Sequence, residues 1–259
     1  MKNYYFLANA LPELLIDSKP VISYMDVMTL FQENLTESDL DQVKTLRLYY
    51  DILNIQRLME EEAFDFRSNW SSNELKESLL NYENLPPFVF EFFEEFSDVS
   101  DRIDNFSKLM SCYFDMASKK TTVLADILQF EKELRLTLIG YRAHRLDLDL
   151  AHELRFEDLE SDLIIDLLAK KDHSNFDFGP KYAQLNEMLE TSLGNPLKEE
   201  KALNTFRFNF YSHYQVGHPF SLHFLLAFVM QLMIIEDFEG HDSMRGEQIL
   251  NSIAQIGTP

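Results

Sequence analysis

Leu46-Arg47-Leu48-Tyr49-Tyr50-Asp51-Ile52-Leu53-Asn54-Ile55-Gln56-Arg57 is the stretch on which the fold depends. Leu46, Tyr49/Tyr50, Leu53 and Gln56/Arg57 alternate faces as the 3.6-residue period of an amphipathic helix requires. The stretch lies inside 21–85, which contains no Gly and no Pro. Nothing there interrupts a helix. Working outward, Thr36-Glu37-Ser38-Asp39 and Ser71-Ser72-Asn73-Glu74 resemble capping boxes and mark helix starts on either side. The same pattern returns in Leu124, Ile127/Leu128, Glu131, Leu134 and Leu138, again in a segment (88–139) free of both breakers.

Read this way along the chain, helices are expected near 23–34, 37–62, 72–82, 87–96, 99–117, 121–149, 158–171, 180–192, 197–214, 219–238 and 243–254. Loops are expected at Pro12–Pro20, Phe64–Trp70, Asn84–Pro87, His173–Pro180, Gly194–Pro196 and Gly217–Pro219. No flexible linker separates them, so the expectation is an all-α chain folded as one helical body over 1–259. The trios Leu46-Arg47-Leu48, Leu134-Arg135-Leu136 and Phe206-Arg207-Phe208 echo one another, and a division into units 1–98, 99–179 and 180–259 accommodates them. Leu154-Arg155-Phe156 repeats the trio off register, as chance similarity between amphipathic helices also does.

Composition limits the function. Of 259 residues, 23 are Lys or Arg and 44 Asp or Glu, a net charge of −21, so phosphate-rich nucleic acid and anionic lipid headgroups are poor partners. Apolar residues make up 46%, enough for a sizeable core, while Gly (7) and Pro (8) stand at about half their usual share, against turn-rich β folds. The N-terminus is apolar only briefly, without a signal-peptide core. The longest apolar run, Leu222 to Ile235, is shorter than the roughly 20 residues a bilayer span needs. It reads as a buried core helix, and the chain as cytoplasmic.

Familiar chemistry is missing from the sequence. It has no glycine-rich phosphate loop, no G-x-S-x-G elbow and no H-E-x-x-H. The lone Cys112 reads as packing. Asp149-Leu150-Ala151-His152 puts a carboxylate and an imidazole on one helical face, the nearest approach to metal-ligand spacing, but it occurs once. His213, His218 and His223 stand five apart, a spacing that does not align on one face. Glu60-Glu61-Glu62 and Glu94-Glu95 read as solvated faces or as docking sites for a basic shaft. Arg135, Arg142 and Arg145 form the main basic cluster, either paired with Glu131 and nearby acids or lining a partner contact.

Four segments, in order, carry a resemblance: Tyr4-Tyr5-Phe6-Leu7-Ala8-Asn9-Ala10-Leu11-Pro12-Glu13-Leu14, the Leu46–Ile55 stretch, Phe88-Val89-Phe90-Glu91-Phe92-Phe93 and Phe130-Glu131-Lys132-Glu133-Leu134-Arg135-Leu136. Together they resemble a bacterial family encoded beside V-type ATPase subunits, which stands where the C-type rotor connector (the eukaryotic d subunit) stands elsewhere. The resemblance implies an all-helical funnel of three similar units. Such a body is a non-catalytic, cofactor-free connector between the central stalk and the proteolipid rotor ring of an ion-transporting, proton-pumping type of complex. It implies a monomer when isolated, peripheral to the inner membrane through that complex, with no direct lipid anchor. The Asp51-x-x-Asn54 step is similar to a helix motif of that connector; at the matching place in the second unit stand Leu138 and Tyr141. Arg47, Asp51, Asn54, Arg135, Arg142 and Arg145 are the expected lining or partner-contact residues. The competing readings are a free-standing helical adaptor and, in another class, a helical metal-dependent enzyme using Asp149 and His152.

Overall fold

The computed structural model describes residues 3–119, 122–170, 176 and 178–238. Among them every regular element is a helix and no strand occurs. In chain order these are α1 (Tyr5–Ala10), α2 (Tyr24–Asn34), α3 (Glu37–Met59), α4 (Ser72–Asn81), α5 (Pro87–Glu95), α6 (Val99–Asp104), α7 (Phe106–Ser118), α8 (Thr122–Leu146), α9 (Leu150–Glu153), α10 (Asp162–Ala169), a 3₁₀ turn Pro180–Tyr182, α11 (Ala183–Ser192) and α12 (Pro196–Gly217). A last helix, α13, runs over 222–238. The expected helix at 243–254 lies outside the described residues, as do His173 and His241.

The chain divides into two compact units. One joins 1–35 to 178–259, and the other is the continuous segment 36–177. This differs from both the single body and the 1–98, 99–179 and 180–259 division. The boundary at 35/36 falls between α2 and α3, where Leu35 and Thr36 are extended and the Thr36 hydroxyl caps α3 through the Asp39 amide.

In the unit 36–177, α3 and α8 both pack on α7, and α10 packs on α8. The buried face of α3 carries Val43, Leu46, Leu48, Tyr50, Ile52 and Ile55. α8 buries residues on most of its circumference, among them Leu124, Ile127, Phe130, Leu134 and Leu136. Gly140 has a specific reason to be there. A Cβ at that position would stand 3.0 Å from Leu167 and 3.0 Å from the Phe176 ring, so only glycine lets both close on the helix. The long helix expected at 99–117 is broken instead at Asn105. The Asn105 amide takes the Asp101 carbonyl (2.8 Å), and Arg155 reaches both the Asp104 carbonyl (2.9 Å) and Asn105 Oδ1 (2.9 Å). These bonds stabilise the broken turn. The short α9 was not expected; Asp149 caps it by accepting the Ala151 amide (3.0 Å).

In the unit formed by the two ends, α13 is the central element. Every residue from Leu222 to Ile235 is buried except Phe224, which is half-buried, so the run is a core helix. The N-terminal segment is tied to both ends of α13: the Tyr4 amide donates to the Phe220 carbonyl (2.6 Å), and the Tyr24 amide at the start of α2 donates to Glu236 (2.9 Å). α11 and α12 pack together as a hairpin. Gly194 turns its corner at φ +80°, Asn195 caps α12 through the Lys198 amide (3.2 Å), and Pro196 opens the helix where its missing N–H costs nothing. Gln231 joins α13 to α12 by donating to the Ser212 hydroxyl (2.7 Å). No helix among the described residues is long and apolar enough to cross a membrane.

Candidate functional site

Arg47, Asp51 and Asn54 stand at i, i+4 and i+7 on α3, one stripe of the helix. The structure brings all three onto a single partner, the loop between α3 and α4. The chain leaves α3 through Glu61, in the left-handed region (φ 58°), and doubles back along the helix. Each polar side chain of the stripe then takes backbone groups of the loop. Asn54 pairs with Asp65 in both directions, its amide donating to the Asp65 carbonyl (2.9 Å) and its carbonyl accepting the Asp65 N–H (2.8 Å). Arg47 donates to the Arg67 carbonyl (3.0 Å) and to the Ser68 carbonyl. Asp51 accepts the backbone N–H of Asn69 (2.8 Å), that of Trp70 (3.3 Å) and the side-chain amide of Asn69 (2.6 Å).

Asp51 and Asn54 have no exposed surface. Buried backbone groups of an irregular loop need partners, and this stripe supplies them. The loop is stiffened from within as well. Asp65 accepts two bonds from the Arg67 guanidinium (2.9 and 2.6 Å) and pairs with Arg57 (3.2 Å). The Arg67 guanidinium also lies 4.4 Å over the Tyr50 ring, a cation–π contact back onto α3.

Two carboxylates in this site respond oppositely to their surroundings. Burial drives the Asp51 carboxyl up to about 6, against the opposing bonds from Asn69 and Trp70 and the charge of Arg47. Burial also works against the Asp65 carboxylate, but its bonds to Arg67 and the charges of Arg67 and Arg57 outweigh it and hold Asp65 below its ordinary value.

The arginines of α8 do not gather into one group. Arg135 ion-pairs with the buried Glu157 (2.8 Å), which follows α9, and lies 5.9 Å over the Phe114 ring. Lys132 bridges Asp115 (2.7 Å) and Glu157 (4.0 Å). Arg142 is exposed. Arg145, also exposed, lies over the Tyr141 ring (5.3 Å) and donates to its hydroxyl (3.3 Å). Arg142 and Arg145 thus end the helix in solvent, while Arg135 helps hold the turn after α9 to its side.

The metal-like pairs have other roles. Asp149 is the cap of α9, and the exposed His152 lies near Glu153 and Arg155. The His218 and His223 rings stack face to face at 4.4 Å and 10°, so their in-plane nitrogens do not converge on a shared ion. Among the described residues no group of three or more His, Cys, Asp or Glu could hold a metal. Reading the sequence alone missed Asp65, Arg67, Asn69 and Glu157. The signal for the first three was the polar run Asp65-Phe66-Arg67-Ser68-Asn69 in the loop between two strong helices; Glu157 is one of 44 acidic residues and carries no mark of its own.

The profile of a family described as "Protein of unknown function (DUF2764)" matches residues 1–256. This chain belongs to the DUF2764 family. The clamp on α3 is therefore a feature of a DUF2764 chain. This DUF2764 chain is similar to an uncharacterized protein of Chlamydia pneumoniae, 25% identical over 216 residues that make up 81% of each chain. It is also similar to uncharacterized proteins of Chlamydia muridarum (25% over 196 residues, 73% of this chain and 74% of the other) and Chlamydia trachomatis serovar D (24%, with the same shares). No solved structure matches it significantly.

Proposed function

We propose that this chain is a non-catalytic connector in a V-type rotary ATPase, seated between the central stalk and the membrane rotor ring. It is held on the inner membrane through that complex. The observation that carries the reading is the role of the Asp51-x-x-Asn54 step, the motif that resembles the C-type rotor connector. Both side chains are buried and bind the irregular loop to the 23-residue α3. A part that transmits torque must resist bending, and a long helix with its return loop bonded to it at several points is stiffer than a helix with a free loop. The charge of −21 supports contact with protein rather than with anionic headgroups, and it would steer a basic stalk segment towards this body.

The test is capture of the tagged full chain from its own cells in mild detergent. Stalk and rotor-ring subunits are expected to come with it in near-equal amounts. In cells lacking the chain, the catalytic head is expected to keep hydrolysing ATP while ion pumping stops. A capture without those subunits, together with unimpaired pumping in the deletion strain, overturns the proposal and leaves a free-standing helical adaptor.

A further inference from the structure

We propose that Asp51, Asn69 and the carbonyl of Lys44 form a proton-operated latch on the loop preceding α4, closed while the Asp51 carboxyl is ionised and released when it takes up a proton. The Asn69 side-chain amide is the bolt. Its nitrogen donates one hydrogen to the Lys44 carbonyl (2.9 Å) and the other to Asp51 Oδ2 (2.6 Å). The Lys44 carbonyl can only accept, so it sets the orientation of the amide. That orientation suits Asp51 only as an acceptor.

The rest of the carboxylate is engaged in the same sense. Asp51 Oδ1 accepts the N–H groups of Asn69 (2.8 Å) and Trp70 (3.3 Å). All three of these partners are N–H donors, so a protonated carboxyl presents its O–H where no acceptor waits, in a place without water contact. Rotating the Asn69 amide to offer its oxygen satisfies the new O–H, and the same rotation withdraws the nitrogen from Lys44. Protonation therefore trades the Lys44–Asn69 bond for relief of a buried charge.

The charges around the latch are accounted for element by element. On α3, Arg47 favours the ionised form. On α7, burial holds the Tyr113 phenol well above its ordinary value, so it stays neutral. In the loop, Asp65 is paired with Arg67 and Arg57. On α4, Glu74 closes its own capping box, and on α6 Arg102 is bonded to the Phe96 carbonyl. Burial pushes the Asp51 carboxyl to about 6, which puts the transition near that pH.

Trp70 is the only tryptophan of the chain and carries one of the latched N–H groups, so its emission reports the loop. The experiment is a titration of the full chain from pH 7.5 to 5, following tryptophan emission and far-UV circular dichroism together. The expected result is a one-proton step in emission with its midpoint near pH 6 and no change in helix content. In Asp51→Asn the new amide faces Asn69 with a donor, as the protonated acid does. Its emission should be flat across the range and match the low-pH spectrum of the wild type. Asn69→Ala removes the bolt, and the step should shrink to less than about a third. A flat wild-type titration overturns the latch. So does a step that persists unchanged in either variant, which would assign it to a histidine.

Discussion

α3 and α8 carry the same apolar-Arg-apolar trio and put it to different use. On α3, Arg47 grips backbone carbonyls of a loop, beside a buried carboxylate that burial pushes up to about 6. On α8, Arg135 grips a single carboxylate, Glu157, next to Lys132. The trio thus marks a helix with a side to cover, and the covering segment decides whether the arginine meets carbonyls or a charge. The third trio, Phe206-Arg207-Phe208, lies on α12. These three helices, of 23, 25 and 22 residues, are the longest with both ends described. The off-register trio at 154–156 lies in turns after α9, so its likeness is one of composition only.

The comparison can be broken most severely at Asp65. Asp65→Ala leaves the buried Arg67 and the half-buried Arg57 without their carboxylate, and urea unfolding should show a loss of about 3–5 kcal/mol. Next in size is the pH effect of Asp51. Its folded-state value of about 6 stands above the ordinary 3.8, so the native chain binds the extra proton between these values. The contribution is complete below about pH 4 and is lost as pH rises through 6, on the order of 3 kcal/mol. On going from pH 4.5 to 7, Asp51→Asn should be spared about 2 kcal/mol of the change in stability that this group contributes to the wild type, and an equal change in both proteins would reject the assignment.

Arg135→Ala sharpens the contrast from the other side. It leaves Glu157 buried with only Lys132 at 4.0 Å, and urea unfolding should show a cost of about 2 kcal/mol. The smallest effect belongs to Arg142→Ala, whose exposed side chain should change unfolding by less than about 0.5 kcal/mol. If that variant nevertheless weakens capture of the stalk and ring proteins, the end of α8 is a contact surface.

Much of the local structure was legible. The capping box at Ser71 and Glu74 forms as the sequence implied, with the Ser71 amide and hydroxyl on Glu74 (2.8 and 2.7 Å). Thr36 caps α3. The candidate site was legible only in part: the stripe Arg47, Asp51 and Asn54 could be named, but its role as a clamp on the loop could not. The interruption at Asn105 was invisible because Arg155, which holds its oxygens, comes 50 residues later.

By itself, then, the sequence determined the helical class, most helix starts and the burial of 222–235. Those properties follow from side-chain period, caps and breakers, all of which act within a few residues. Only the tertiary structure decided that Asp51 meets Asn69, that Arg135 meets Glu157 and that the two chain ends share a unit. A helix presents its polar groups identically to every segment that could cover them. With 44 acidic residues and many loop carbonyls to choose from, the packing of distant segments selects the partner.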